Sequence, residues 1–428
     1  MKILIKNTNI LTMVKEEIVK GNILIDGDTI VQLGEFEAHA DQIIDGSHFI
    51  AMPGIVNAHT HIAMSLLRNY ADDLPFWPWL TEKIWPAEAK LNAECVYWGS
   101  MLSIAEMIAS GTTTFCDMYF FTEETVKAVE QTGIRADLSR GLVSGEEGYK
   151  KLENALDIYH KYHNSSDGRI HIDLGPHAPY TCSGDYLKKI CNEADKIDTN
   201  IHIHLSESTK EIEDSIEKHG KSPIEYVDDL GLFDHPTIAA HCVNVSEEDI
   251  EILASKKVNV VNNPSSNLKL ANGFAPIDEM LKKGINVALG TDGPSSNNNQ
   301  DMFEEMHLAA LINKTISNDT TVLPAFEVLK MATINGAKAL RIDDEVGTLE
   351  VGKKADIILI DIDKPHSYPH HNLISSLVYS ANSSDVDTVI VNGKILYQDR
   401  KYKTLEIEEI YKNVEKHIKM MTGGNDEI

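Results

Sequence analysis

Between residues 54 and 289 the chain alternates eight short apolar runs with amphipathic helical windows, and this alternation narrows the fold more than any other feature. The apolar runs cover residues 54–59, 113–118, 134–138, 169–174, 200–205, 237–241, 258–261 and 286–289. Helical periods fill most of the gaps, at 94–110, 123–132, 149–163, 186–196, 247–255 and 280–283. Parallel strands need crossover helices, so the pattern predicts an α/β fold, either a doubly wound open sheet or a closed (β/α)8 TIM-like barrel. The count of eight favours the barrel.

The flanks read differently. Residues 3–5, 21–25, 29–33 and 42–45 are short strand candidates, with a turn at Asp26-Gly27-Asp28. Two helices are expected at 300–317 and 324–340. Strand texture then returns at 357–360, 388–391 and 394–397, the last two joined by the hairpin signal Asn392-Gly393. A helix is expected at 407–421 and a frayed end from Gly423. The predicted organisation is a barrel over residues 53–345. Residues 1–52 and 346–428 are expected to form a composite β-sandwich side domain with a C-terminal helix.

A net charge of -27 argues against nucleic-acid or anionic-membrane partners, because phosphate attracts Lys and Arg. No run approaches the ~20 apolar residues of a membrane span. The five cysteines, scattered and without a C-x-x-C pair, read as reduced thiols in a cytoplasmic protein. A small-molecule partner is expected, and a homo-oligomer stays open.

The chemistry collects at strand ends, where barrels carry their active sites. His59 and His61 close the first run; residues two apart on a strand share a face, so both imidazoles can reach one point. The fifth run ends His202-Ile203-His204-Leu205-Ser206-Glu207, with His204 near the strand end and His202 expected deeper in the barrel interior. The sixth ends at His241 and the eighth leads into Asp292. Three imidazoles (His59, His61, His204) and Asp292 around an open position form the donor set of a catalytic divalent metal, with zinc, iron or manganese allowed by the spacing. Such a metal lowers the pKa of water towards ~7. Asp292 can also accept a proton, Glu207 can shuttle it to a leaving group, and His241 can hydrogen-bond the attacking oxygen. Taken singly, each is matched by a bland reading, a core histidine or a turn aspartate.

The segments P-G-I-V-N-A-H-T-H at 53–61, H-L-S-E at 204–207, H-C at 241–242, G-T-D-G at 290–293 and E-V-G-T-L-E-V-G-K-K-A-D at 345–356 resemble the amidohydrolase superfamily over almost the whole chain. Some members bridge two metals with a lysine on the fourth strand. Here that stretch is Gly175-Pro176-His177-Ala178-Pro179-Tyr180-Thr181, so the resemblance implies one metal, and zinc in particular. L-P-F-W-P-W-L at 74–80 and K-I-W-P-A-E at 83–88 resemble the 5′-methylthioadenosine/S-adenosylhomocysteine deaminases. That resemblance implies that Glu88 holds the ribose hydroxyls and that Arg140, His177 and Glu207 contact the substrate. Trp77, Trp79 and Trp85 would screen it from water. The implied activity is hydrolytic deamination of 5′-methylthioadenosine, S-adenosylhomocysteine or adenosine to the inosine analogue and ammonia. Guanine, an oxidised purine or a chlorotriazine is the alternative substrate, and a non-catalytic metal-binding protein the third reading. Some relatives carry a second arginine shortly after the one matching Arg140. Val143-Ser144-Gly145-Glu146-Glu147-Gly148 offers none here, which favours a short 5′ group over the homocysteine tail.

Overall fold

The computed structural model describes residues 1–422; the stretch from Gly423, expected to fray, lies outside the described residues. The eight apolar runs become eight parallel strands, Ile55–Thr60, Thr112–Tyr119, Arg135–Leu142, Ile170–Pro176, Ile201–Leu205, Thr237–His241, Asn259–Asn262 and Val287–Leu289, paired in chain order. The first and eighth strands share no ladder. They meet instead where the Asp292 N–H donates to the His59 carbonyl at 3.0 Å and the Thr291 N–H to the Asn57 side-chain carbonyl at 3.0 Å. Gly290 permits that approach, since a Cβ there would fall 2.7 Å from the His59 carbonyl oxygen. The result is a near-closed barrel.

The outer strands form one continuous nine-stranded mixed sheet. Phe49–Pro53 from the N-terminal part runs antiparallel to Ile357–Asp361 from the C-terminal part, which joins head and tail. Side chains alternate across a strand. Ile357 and Leu359 therefore pack with Ile3, Ile5 and Ile390 in a small core of their own, while Ile358 and Ile360 face the opposite way and join the barrel core. Arg135, at the start of the third barrel strand, is buried and forks onto Asp356 at 3.0 and 3.3 Å.

Three local expectations change. Residues 324–340 form two helices, Ala325–Met331 and Ile334–Ala339, because Thr333 between them takes φ -135° and ψ -96°. The aromatic stretch is helical in spite of its Trp-Pro pairs: Phe76–Pro78, Trp79–Ile84 (a π turn) and Trp85–Glu88 run on from one another. Pro86 therefore lies within the helical run, where its missing N–H leaves the i→i−4 pattern incomplete just after the π turn. Thr209–His219, Pro223–Asp229 and Pro264–Lys269 are further helices, too polar or too short to give a clear period. Among the described residues no helix is long and apolar enough to cross a membrane.

Candidate active site

His59, His204, His241 and Asp292 are all buried and bring their ligand atoms within 4.8 Å of one another at the C-terminal mouth of the barrel. Their backbones show how sharply the chain turns there. His241 and Asp292 have φ of 73° and 59°, left-handed values that cost a non-glycine residue of order 1 kcal/mol and persist only where the surroundings hold them.

Each imidazole is fixed from behind. His61 Nδ1–H donates to the Met118 carbonyl at 2.6 Å, His204 Nδ1–H to the His177 carbonyl at 2.7 Å, and His241 Nδ1–H to the Asn267 side-chain carbonyl at 2.9 Å. His59 Nδ1 lies 2.8 Å from Nε2 of His202, which fills the barrel interior as expected. With Nδ1 protonated, each Nε2 lone pair points inward. His61 and His204 then set two lone pairs 3.1 Å apart, and the fully buried His59 Nε2 has no hydrogen-bond partner. Both features fit a cation between them. Asp292 completes the set: Ser266 and Ser296 donate to Oδ2 at 2.6 and 2.7 Å, leaving Oδ1 at 3.5 Å from His59 Nε2 and 3.3 Å from His61 Nε2.

The four-donor group thus includes His241, expected as a catalytic residue, while His61, expected as a ligand, adjoins it through Asp292 and His204. Burial pushes His59 down to about 3 and holds His204 well below the usual imidazole range, so both stay neutral. Burial opposes charge on His241 too, yet Glu207 and Asp292 outweigh it and raise its pKa. The Asp292 carboxyl is held well below its ordinary range in spite of burial, by the His59, His241 and His61 imidazoles that surround it.

Glu207 stands 3.9 Å from His241 Nε2 and accepts from the Asn272 amide at 3.0 Å. Burial, with the Asp292 charge behind it, pushes its carboxyl up to about 7. The cavity above is lined by Glu88, His177, Glu207, Asp292, Trp79 and Trp85 among others. Tyr119 donates to Glu88 at 2.7 Å, and burial raises Glu88 to about 7. His177 Nδ1 bonds Thr181 at 2.9 Å, so its Nε2 is free for a ligand.

Two residues expected here stand elsewhere. Arg140 shares a strand face with Ala136, Leu138 and Leu142, which pack under the helices, and it is not part of the cavity wall. Trp77 packs edge-on against Tyr180, ring centres 5.5 Å apart, and does not line the cavity, whereas Trp79 does. Residues two apart on a helix face different ways. Tyr119, Ser266, Asn267, Asn272 and Ser296 belong to the site without a sequence signal, apart from the position of Tyr119 at a strand end.

The amidohydrolase family model matches residues 50–396. The 5-methylthioadenosine/S-adenosylhomocysteine deaminase of Thermoanaerobacter pseudethanolicus is 59% identical over 426 residues, 98% of this chain and 99% of the relative. The protein of the same description from Caldanaerobacter subterraneus subsp. tengcongensis is 54% identical over 430 residues, 99% of each. The chain belongs to the amidohydrolase family, in its 5′-methylthioadenosine/S-adenosylhomocysteine deaminase branch. Among solved structures, this amidohydrolase superposes on an adenosine deaminase from Xanthomonas campestris with bound zinc at a TM-score of 0.95, with 32% identity and 98% of each chain covered. An atrazine chlorohydrolase from Arthrobacter aurescens complexed with zinc follows at a TM-score of 0.91 and 25% identity, covering 97% of this chain and 100% of that one.

Proposed function

We propose that this chain hydrolyses the 6-amino group of an adenine nucleoside, 5′-methylthioadenosine first, releasing ammonia and the inosine analogue. The observation that carries the reading is that Glu88 and Glu207 line one cavity with His204 and Asp292, the two members of the buried imidazole–carboxylate group that reach its wall. An ionised carboxylate accepts from two vicinal hydroxyls at once, which a ribose offers and a free base does not. The names of the close relatives agree with this substrate class.

The donor set suits one divalent metal, and zinc is the proposed ion, as in the neighbouring structures that carry it. When bound, that metal supplies Lewis acidity that makes water a nucleophile at neutral pH. His59, His61, His204 and Asp292 would hold it. His241 hydrogen-bonds the attacking oxygen and steadies the charge it develops. Asp292 accepts the first proton of the attacking water while Glu207 donates its own to N1 of the ring as the oxygen joins C6. Glu207 then takes the second proton from that oxygen and passes it to the departing amine, and the proton held by Asp292 returns to Glu207. The C6–N bond breaks and ammonia leaves. His177 Nε2 meets the nucleoside, and the helical aromatic segment excludes water through Trp79 and Trp85. Arg140 and Trp77, which do not line the cavity, are not proposed to touch the substrate.

Among the described residues no lysine or arginine lines the cavity, and Phe76, Leu80 and Val143 give it an apolar character. Burying a carboxylate without a partner costs several kcal/mol, roughly, so a methylthio group is favoured over a homocysteine tail. The test is ammonia release from 5′-methylthioadenosine, S-adenosylhomocysteine, adenosine, adenine and guanine by zinc-loaded protein. Turnover of nucleosides alone, led by the methylthio compound, is expected. Activity confined to free bases would overturn the assignment of Glu88 and move the substrate to the alternative class.

A further inference from the structure

Helix Thr209–His219 follows Glu207 directly, and its third residue, Glu211, is a buried carboxylate that the reaction above does not use. Two other helices in this chain show what an acid at that position ordinarily does. In Pro223–Asp229 and Glu247–Ser255 the third residue, Glu225 or Asp249, reaches back to the N–H of its own N-cap serine in a reciprocal capping box. Glu211 reaches further. Its N–H bonds the Ser208 hydroxyl at 3.3 Å, but its carboxylate passes the N-cap to accept the N–H of Ser206 at 3.1 Å on Oε1 and that of Glu207 at 2.8 Å on Oε2.

The segment it grips is one that needs gripping. Ser206 has φ 53°, in the left-handed region, and directs the chain off the strand end. The carbonyl of Ser206 accepts from the N–H of Val243 at 3.1 Å and of Asn244 at 2.8 Å, and the Asn244 amide donates to the Glu207 carbonyl at 2.8 Å. The peptide is therefore pinned from both sides, with Glu211 supplying both acceptors on one of them. Only a carboxylate offers two acceptors in that fork. A glutamine would turn a donor towards one N–H.

We propose that Glu211 is the positioning residue of Glu207, holding the turn at residues 206–207 so that the Glu207 carboxylate faces His241 and the substrate. The proposal rests on the role given to Glu207 above. Angstrom-scale misplacement of a reacting group costs up to ~10²-fold in rate. In Glu211→Ala, kcat for 5′-methylthioadenosine is expected to fall about tenfold or more, with KM within about twofold and metal content unchanged. Because the effect runs through Glu207, the same substitution in a Glu207→Gln background should cost less than about twofold beyond the parent variant. Equal losses in both backgrounds, or a loss carried by KM, would overturn the positioning role. Should the alanine variant fail to fold, Glu211→Gln, nearly isosteric and lacking one acceptor, carries the same pair of comparisons. If the unaltered chain deaminates no adenine nucleoside, it is the reading of Glu207 that falls, and this proposal with it.

Discussion

Replacing Glu207 by Gln keeps the bond to Asn272 and removes the mobile proton, so kcat is expected to drop by ~10²–10⁴ with metal content intact. Ammonia release and metal analysis of the same preparation check this. The ligand set is open to the same kind of test. His61→Ala is expected to lose bound zinc and His241→Ala to keep it while losing rate; the reverse result would make His241 the ligand and His61 the bystander. Glu88 gives a pH signature. Burial puts its carboxyl at about 7, so it is neutral below that pH and ionised above. Only the ionised form accepts both ribose hydroxyls, hence KM for the nucleoside should rise as pH falls through about 7, and Glu88→Gln should be high and flat. A wild-type KM independent of pH would remove the clamp. His59, His204, His241 and Asp292 were legible because strand ends and a two-residue period fix where they converge. Arg140 was not, since it is the lone polar residue on the Ala136, Leu138 and Leu142 face of its strand, and its place near the strand's C-terminal end pointed to the site where the alternation pointed to the packed face. Ser266 and Asn272 come from the connection after the seventh strand and Ser296 from the one after the eighth, and only the closed barrel brings them together.

At the scale of elements, the loops after the seventh and eighth strands are tied by one buried acid. Glu305, in helix Met302–Ile316, accepts the Ser265 N–H at 3.0 Å and the Asn297 amide at 3.5 Å, and burial pushes it up to about 8. An unfolded glutamate ionises near 4.5, so as pH rises the unfolded chain sheds this proton first. The folded state therefore loses this contribution between about 4.5 and about 8, the opposite sense to a salt-bridged carboxylate. Glu305→Gln should flatten the fall in thermal midpoint between pH 5 and pH 8, by about 2 °C or more. An unchanged pH dependence would mean that another group carries it. The strands themselves were readable because parallel strands buried on both faces are continuous apolar runs. The π turn through Trp79–Ile84 was not, because Trp77-Pro78-Trp79 and Trp85-Pro86 carry the marks of a loop and become helical only through tertiary packing.

For the whole molecule, the question is what couples the nine-stranded sheet to the barrel that performs the chemistry. Arg135 is the strongest candidate for a bolt. All its guanidinium nitrogens are engaged: Nε and Nη2 on Asp356, Nη1 on the Gly168 carbonyl at 3.1 Å and Glu345 at 3.4 Å, and Nη2 also on Asn392 at 3.4 Å. Glu345 and Asp356 are the first and last residues of the E-V-G-T-L-E-V-G-K-K-A-D stretch, whose ends therefore have a physical purpose beyond family likeness. Removing one member of a buried pair leaves an uncompensated charge and costs ~3–5 kcal/mol. Arg135→Met should be destabilised by that order, and Asp356→Asn similarly. The double variant should lose much less than the sum of the two single losses, because neither partner is then left charged and alone. Arg135 opens its strand at the end away from the active site, so kcat of the folded variants should stay within about twofold of the parent. Losses that add fully in the double variant would mean that the two side chains stabilise the fold independently. A kcat that falls in step with stability would mean that the sheet shapes the active site as well as supporting it.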